Sequence, residues 1–163
     1  MLKLTKKADY GLIALKHLAV NARGASAKDI AETYGIPSPL LAKILQKLAR
    51  AGFLRSEQGT HGGYRLARAP NQITTLEVVR AIDGPIILTA CFTEHGECSH
   101  TEKCTVRAPL RKVHEGILRL LNGITISDLS HDDMELTLES VFVAGPVASA
   151  CGSSQPVPSV HKL

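Results

Sequence analysis

The segment Ser26-Ala27-Lys28-Asp29-Ile30-Ala31-Glu32-Thr33-Tyr34-Gly35-Ile36-Pro37-Ser38-Pro39-Leu40-Leu41-Ala42-Lys43-Ile44-Leu45-Gln46-Lys47-Leu48-Ala49-Arg50 decides the fold. It reads as two short helices joined by a tight turn. Ser26 is placed to cap the first, Ala27 to about Tyr34, because its hydroxyl can accept from the free N–H groups of a first turn. Ile30 and Ala31 are its inward positions. Gly35-Ile36-Pro37 is a turn. Ser38 is expected to cap the next helix, with Pro39 in the favoured first position. That helix runs to about Arg50 and stops at Gly52. Its stripe of Leu41, Ile44, Leu45 and Leu48 recurs at helical spacing. Lys43, Gln46, Lys47 and Arg50 lie off the stripe. They are cationic and amide groups of the kind that meet phosphates and base edges. Two short helices with a glycine in the turn form a helix-turn-helix pattern.

Working outward, Phe53-Leu54-Arg55-Ser56-Glu57 and Tyr64-Arg65-Leu66-Ala67-Arg68 flank Gln58-Gly59-Thr60-His61-Gly62-Gly63. This reads as a β-hairpin with a glycine-rich tip. Upstream, Thr5 caps a helix to about Asn21, with Tyr10, Ile13, Ala14, Leu18 and Ala19 as its stripe. Asp9 sits in its first turn, where a carboxylate suits the helix dipole. Gly24 closes it. Helix, helix, turn, helix and hairpin make a winged helix-turn-helix. The predicted class is mainly α with a small β-hairpin wing.

Charge supports a polyanion partner for this half. Residues 1–70 hold twelve Lys or Arg and four Asp or Glu, a balance of +8. Residues 71–163 hold seven and eleven, a balance of −4, so the total of +4 conceals the asymmetry. A basic surface of this size attracts nucleic acid, although a solvated basic face carries the same charge. No run of eighteen apolar residues occurs, so no membrane span is expected. The charged N-terminus is not followed by an uninterrupted apolar core, and the chain is read as cytoplasmic.

Pro70 marks a boundary. Thr74 or Thr75 caps a short helix through Ala81, and Asp83-Gly84-Pro85 turns the chain. Ile86-Ile87-Leu88 is a short apolar link. From about Val106 to Asn122 runs a long helix with a stripe of Val106, Leu110, Val113, Ile117, Leu120 and Leu121. Such a stripe must be covered, either by a second copy of the chain or by packing within it. Residues 124–129 form a last short element. From about His131 the pattern fades. Residues 144–163, rich in Gly, Ala, Ser and Pro, read as a disordered tail in which Cys151 is a bystander thiol.

Between the link and the long helix lies Cys91-Phe92-Thr93-Glu94-His95-Gly96-Glu97-Cys98-Ser99-His100-Thr101-Glu102-Lys103-Cys104. Three of the four cysteines fall within these fourteen residues. Thiolates suit zinc, copper(I) and iron–sulfur clusters. The Cys-x6-Cys and Cys-x5-Cys spacings are wider than those of structural zinc sites. A loop around a larger object such as a cluster fits them better. Unliganded thiols, or a disulfide with a spare thiol, are the other readings, and the second belongs to oxidising compartments. No Cys-x-x-Cys pair, phosphate loop or acid/base constellation is present, so an enzyme is not expected.

The opening Leu4-Thr5-Lys6-Lys7-Ala8-Asp9-Tyr10-Gly11, the segment Gly35-Ile36, and the wing Gly59-Thr60-His61-Gly62-Gly63-Tyr64-Arg65-Leu66 follow one another in order. The three-cysteine loop and Asn122-Gly123-Ile124-Thr125-Ile126-Ser127-Asp128-Leu129 complete the series. Together they resemble the IscR/NsrR/RirA-type regulators, dimeric winged-helix transcription factors that carry an iron–sulfur cluster. The resemblance covers about residues 1–130. Asp83-Gly84-Pro85-Ile86 and Cys104-Thr105-Val106-Arg107 look most like the branch that regulates cluster assembly by the SUF system.

The resemblance implies a cluster, 2Fe–2S or 4Fe–4S, held by Cys91, Cys98 and Cys104. The fourth ligand differs from one branch. Where the ISC-assembly regulator has a histidine three residues after the third cysteine, this chain has Arg107, which has no lone pair to offer iron. The nitric-oxide sensors use an aspartate on the partner's first helix, and Asp9 matches that position; His100, His95 or an exogenous ligand are the alternatives. The resemblance further implies a homodimer on double-stranded DNA. The third helix, with Ser38, Lys43, Gln46, Lys47 and Arg50, lies in the major groove, Lys47 being assigned to a phosphate and Lys43 to a base. The wing tip, with Gln58, Thr60 and His61, reaches the minor groove, and Gln58 replaces a family arginine there. The implied organisation is a DNA-binding region at 1–70, a cluster loop and dimerisation helix at 71–130, and a tail at 131–163. The implied function is control of cluster-assembly genes in response to cluster, iron or redox status. A nitric-oxide or oxidant response, or zinc- or thiol-based control on the same scaffold, is the alternative.

Overall fold

Side-chain caps set most of the helix starts. In the computed structural model, which describes residues 4–57, 62–92 and 103–130, α1 spans Lys6–Val20 and begins at Thr5. The hydroxyl of Thr5 accepts from the Ala8 N–H at 3.2 Å. The helix ends at Asn21, not at Gly24. Both the backbone N–H of Asn21 and its Nδ2 donate to the His17 carbonyl. Gly24, with a φ of 79°, turns the chain toward the wing. Helix α2, Ala27–Tyr34, starts with a reciprocal pair in which Ser26 accepts from the Asp29 N–H and Asp29 accepts from the Ser26 N–H. That pair holds the Asp29 carboxyl below its ordinary range, the Ser26 hydroxyl being the main cause. Gly35 then adopts the left-handed conformation that ends the helix.

Helix α3, Ser38–Arg50, corrects one expectation. Ser38 is its first residue, and Pro37 is the cap, with no side-chain hydrogen bond. The Pro37 carbonyl already accepts from Leu40 and Leu41. With the helix begun there, Ser38 is itself helical and its hydroxyl is not in a capping position. Strands β1 (Leu54–Glu57) and β2 (Gly63–Leu66) pair antiparallel, Leu54 opposite Leu66 and Ser56 opposite Tyr64. A bridge between Ala25 and Tyr64 fastens this wing to the approach to α2.

The core does not stop at residue 70. Leu15 from α1, Ile30 from α2 and Leu41, Leu45 and Leu48 from α3 are fully buried with Ile73, Val78, Val79 and Ile126. Helix α4, Thr75–Asp83, is capped by Thr74 with Glu77 in return, and it runs two residues beyond the expected Ala81. Thr125 and Asp128 repeat the device at α6, Ile126–Ser130. A bridge between Thr74 and Thr125 ties the two starts together. On α1 the buried residues are Ala8, Gly11, Ala14, Leu15 and Leu18. The expected Tyr10, Ile13 and Ala19 are only partly covered, and Leu15 is the main anchor.

Helix α5, Arg107–Gly123, buries no residue completely. Val106 and Val113 stand 55% and 51% exposed. The lower half of the stripe, Ile117, Leu120 and Leu121, borders an apolar groove of about 540 Å³ against Val79, Ile86 and Leu4.

Candidate nucleic-acid face and cysteine site

Helix α3 divides its residues by face. Leu41, Ile44, Leu45 and Leu48 enter the core, and Ser38, Lys43, Gln46, Lys47 and Arg50 are exposed. Lys43, Gln46, Lys47 and Arg50 line one open groove of about 540 Å³, closed on one side by Ala81 of α4. A cationic, amide-bearing helix beside an open groove suits a polyanion with readable edges. Lys47 has a second engagement. Its Nζ donates to the Ile82 carbonyl at 2.8 Å. The wing strands stand next to this face, and Gln58, Thr60 and His61 lie outside the described residues.

The cysteine loop is described at its two ends. Cys91 and Cys104 are free thiols and half-buried. Cys91 lies in a short 3-10 turn, Ala90–Phe92, with its Sγ 3.0 Å from the Thr89 hydroxyl. Cys104 lies just before α5. Cys98, His95 and His100 fall outside the described residues. Phe92 stacks on His114 of α5 at 5.2 Å between ring centroids. The Nδ1 of His114 is buried with no hydrogen-bond partner among the described residues, as is the Nε of Arg107. Among the described residues no three His, Cys, Asp or Glu side chains are already gathered for a metal. Two free soft donors at the two ends of this loop fit a thiolate-held group better than a hard cation.

Asp9 is exposed in the first turn of α1, where its backbone N–H donates to the Thr5 carbonyl. His114 was not legible in the sequence, because its stack on Phe92 is a tertiary contact that leaves no spacing pattern. Nor was the contact between Thr5 and Asp83. The Thr5 hydroxyl lies 2.7 and 2.9 Å from the two oxygens of that carboxylate and donates to it.

Residues 4–132 match the family model of Rrf2, described as an iron-dependent transcriptional regulator. The chain belongs to the Rrf2 family. It is accordingly a transcription regulator, not an enzyme, and the resemblance to IscR- and NsrR-type regulators holds. It is 34% identical over 138 residues to the HTH-type transcriptional regulator NsrR of Geobacillus kaustophilus, covering 83% of this chain and 94% of that one. Two solved Rrf2 neighbours share the architecture. One is IscR of T. potens, with 32% identity and a TM-score of 0.61 over 78% of this chain and 85% of the other. The other is CymR (YrzC), the global cysteine regulator of B. subtilis, with 29% identity and a TM-score of 0.65 over 80% and 97%. The likeness secures the winged-helix class. No described helix is long and apolar enough to cross a membrane.

Proposed function

We propose that the chain is a cytoplasmic homodimer that binds operator DNA and responds to an iron–sulfur cluster, 2Fe–2S or 4Fe–4S, in controlling cluster-assembly genes. The observation that carries this is the pair of free, half-buried thiols, Cys104 just before α5 and Cys91 next to the Phe92 that stacks on it, in a chain that also presents a cationic recognition helix. Cys91, Cys98 and Cys104 would hold the group as thiolates, with Asp9 of the partner subunit as the fourth donor. Bound there, the group supplies a redox- and iron-sensitive link. A carboxylate is a hard donor, weaker toward iron in this setting than thiolate. Its detachment frees the first turn of α1, which packs on both α3 and α4.

The dimer reading rests on α5. Val106 and Val113 are exposed and an apolar groove runs along its lower half, surface that a second copy of the chain would cover. On DNA, Lys43 and Gln46 are assigned to base edges, and Ser38 and Arg50 to the backbone. Gln58, Thr60 and His61 approach the minor groove. In this organisation residues 1–70 read DNA, 71–130 sense and dimerise, and 131–163 form a tail.

A second reading, zinc- or thiol-based control, is favoured by the likeness to CymR and by the thiol of Cys91 lying beside a hydroxyl. Anaerobic purification separates the two. Iron, acid-labile sulfide and visible absorbance in proportion to protein support the cluster; zinc alone, or no metal with reactive thiols, supports the alternative. DNA affinity measured before and after oxidation then ties either one to regulation.

A further inference from the structure

Three helices meet at the carboxyl end of α4. The last four carbonyls of a helix lack intrahelical partners. That of Arg80 is taken by the Gly84 N–H. That of Ile82 is taken by the ammonium of Lys47, from the recognition helix, at 2.8 Å. A cation is favoured there by the helix dipole as well as by the hydrogen bond. The next residue, Asp83, receives the hydroxyl of Thr5, which is also the cap of α1. Beneath these polar contacts the Ile82 side chain occupies the space left by Gly11. A Cβ on Gly11 would overlap Cδ1 of Ile82 and stand 3.5 Å from Cγ2 of Ile44. Asp9 lies two residues before Gly11.

We infer that Lys47 and Asp83 are positioning residues for DNA recognition. The end of α4 fixes the pitch of α3 through Lys47 and ties it to the first turn of α1 through Asp83. Lys47 thus gives one of its three N–H donors to a carbonyl of the fold itself, a role that its assignment from sequence did not include. The link from α1 to the cluster rests on the proposed function; the role of Lys47 in holding α3 does not.

The test uses full-length protein and two duplexes, one selected by the wild type from a random pool and one of random sequence. In cluster-free protein, Lys47→Met is expected to lower affinity for the selected duplex roughly tenfold, the scale of one charge-assisted hydrogen bond. The slope of log affinity against log salt should not change. A lost phosphate contact would reduce that slope by about 0.9. Asp83→Ala removes a negative charge, which by electrostatics alone strengthens binding to any duplex. A positioning role predicts that the ratio of selected to random affinity falls instead. In anaerobically loaded protein, the affinity ratio between loaded and cluster-free forms should move toward one in both variants. A reduced salt slope with an intact selected-to-random ratio would overturn the assignment of Lys47. Equal strengthening on both duplexes would overturn that of Asp83. A loaded-to-free ratio at its wild-type value would overturn the link to α1. If the wild type itself binds equally with and without iron and sulfide, the proposed function fails, while the cluster-free arms still decide both residues.

Discussion

The rings of Phe92 and His114 are stacked, 5.2 Å between centroids and 29° from parallel. This pins the residue after Cys91 to the third turn of α5, while Cys104 enters the same helix three residues before Arg107. Both described thiols therefore stand next in sequence to contacts with, or the start of, the same helix. A stack of this kind contributes about 0.5–1.5 kcal/mol beyond its buried area.

Each of Cys91→Ser, Cys98→Ser and Cys104→Ser should lose the cluster, because three protein thiolates leave no spare. Cys151→Ser should keep it. Iron and acid-labile sulfide per chain, determined on anaerobic protein, are the readout. Full iron retention in any of the first three variants would remove that cysteine from the ligand set.

Asp9→Ala should assemble a cluster that decays faster, since only the hardest donor is missing. The comparison is with His95→Ala, His100→Ala and His114→Phe, the last keeping a ring against Phe92 while removing the buried Nδ1. Visible absorbance followed under one oxidant ranks the four. Wild-type decay in Asp9→Ala, with rapid loss in a histidine variant, would move the fourth donor into the loop or α5.

Val113→Asp places a charge at the middle of the uncovered stripe. Val113 is half-exposed within the protomer, so helicity and protomer folding should survive. Sedimentation at micromolar concentration should show the variant as a monomer and the wild type as a dimer. A monomeric wild type, with or without iron, would refute the pairing of α5.

Lys43→Ala should lower discrimination among bases by roughly 1–3 kcal/mol, the scale of one good base contact. Competition binding across single-base variants of a selected duplex measures it. Equal losses on selected and random duplexes would mean that Lys43 meets the backbone.

The start of α4 has a pH dependence of known sign. Burial pushes the Glu77 carboxyl up, but the Thr74 N–H, the Arg68 guanidinium and the Thr74 hydroxyl outweigh it and hold the group below its usual range. A depressed carboxylate contributes stability above the unfolded value of about 4.3, and that stability is lost as pH falls through the folded value. Thermal midpoints of wild type and Glu77→Gln should therefore differ near neutrality and converge as the pH falls through the folded value. A gap that stays constant would assign the effect to packing.

Local signals were the legible ones. Thr5, Ser26 and Thr74 read as caps because a hydroxyl before an apolar period has one common use. Ser38 carried the same signal, but Pro37 had already begun the helix. The basic face of α3 was legible as composition. That Lys47 turns to a carbonyl thirty-five residues away was not, because a cation's partner is fixed by tertiary geometry and leaves no period. Nothing in the helical spacing of α1 marks Gly11, because the Ile82 side chain that fills the space a methyl would need comes from another helix. The buried Nδ1 of His114 leaves no mark in the sequence either, because an unbonded atom is a property of its surroundings.

Ile126 shares one core with Leu15 and Leu41. The chain passes from the wing through α4 within that core, leaves it to build the cysteine loop and α5, and returns at α6 to complete it. Recombination that cut after the wing would leave the reader with an open side. New input signals must therefore arise in Rrf2 proteins of this build by rewriting the excursion between α4 and α6 in place, as an insertion grows within a gene, and not by exchanging a ready-made sensor at one end.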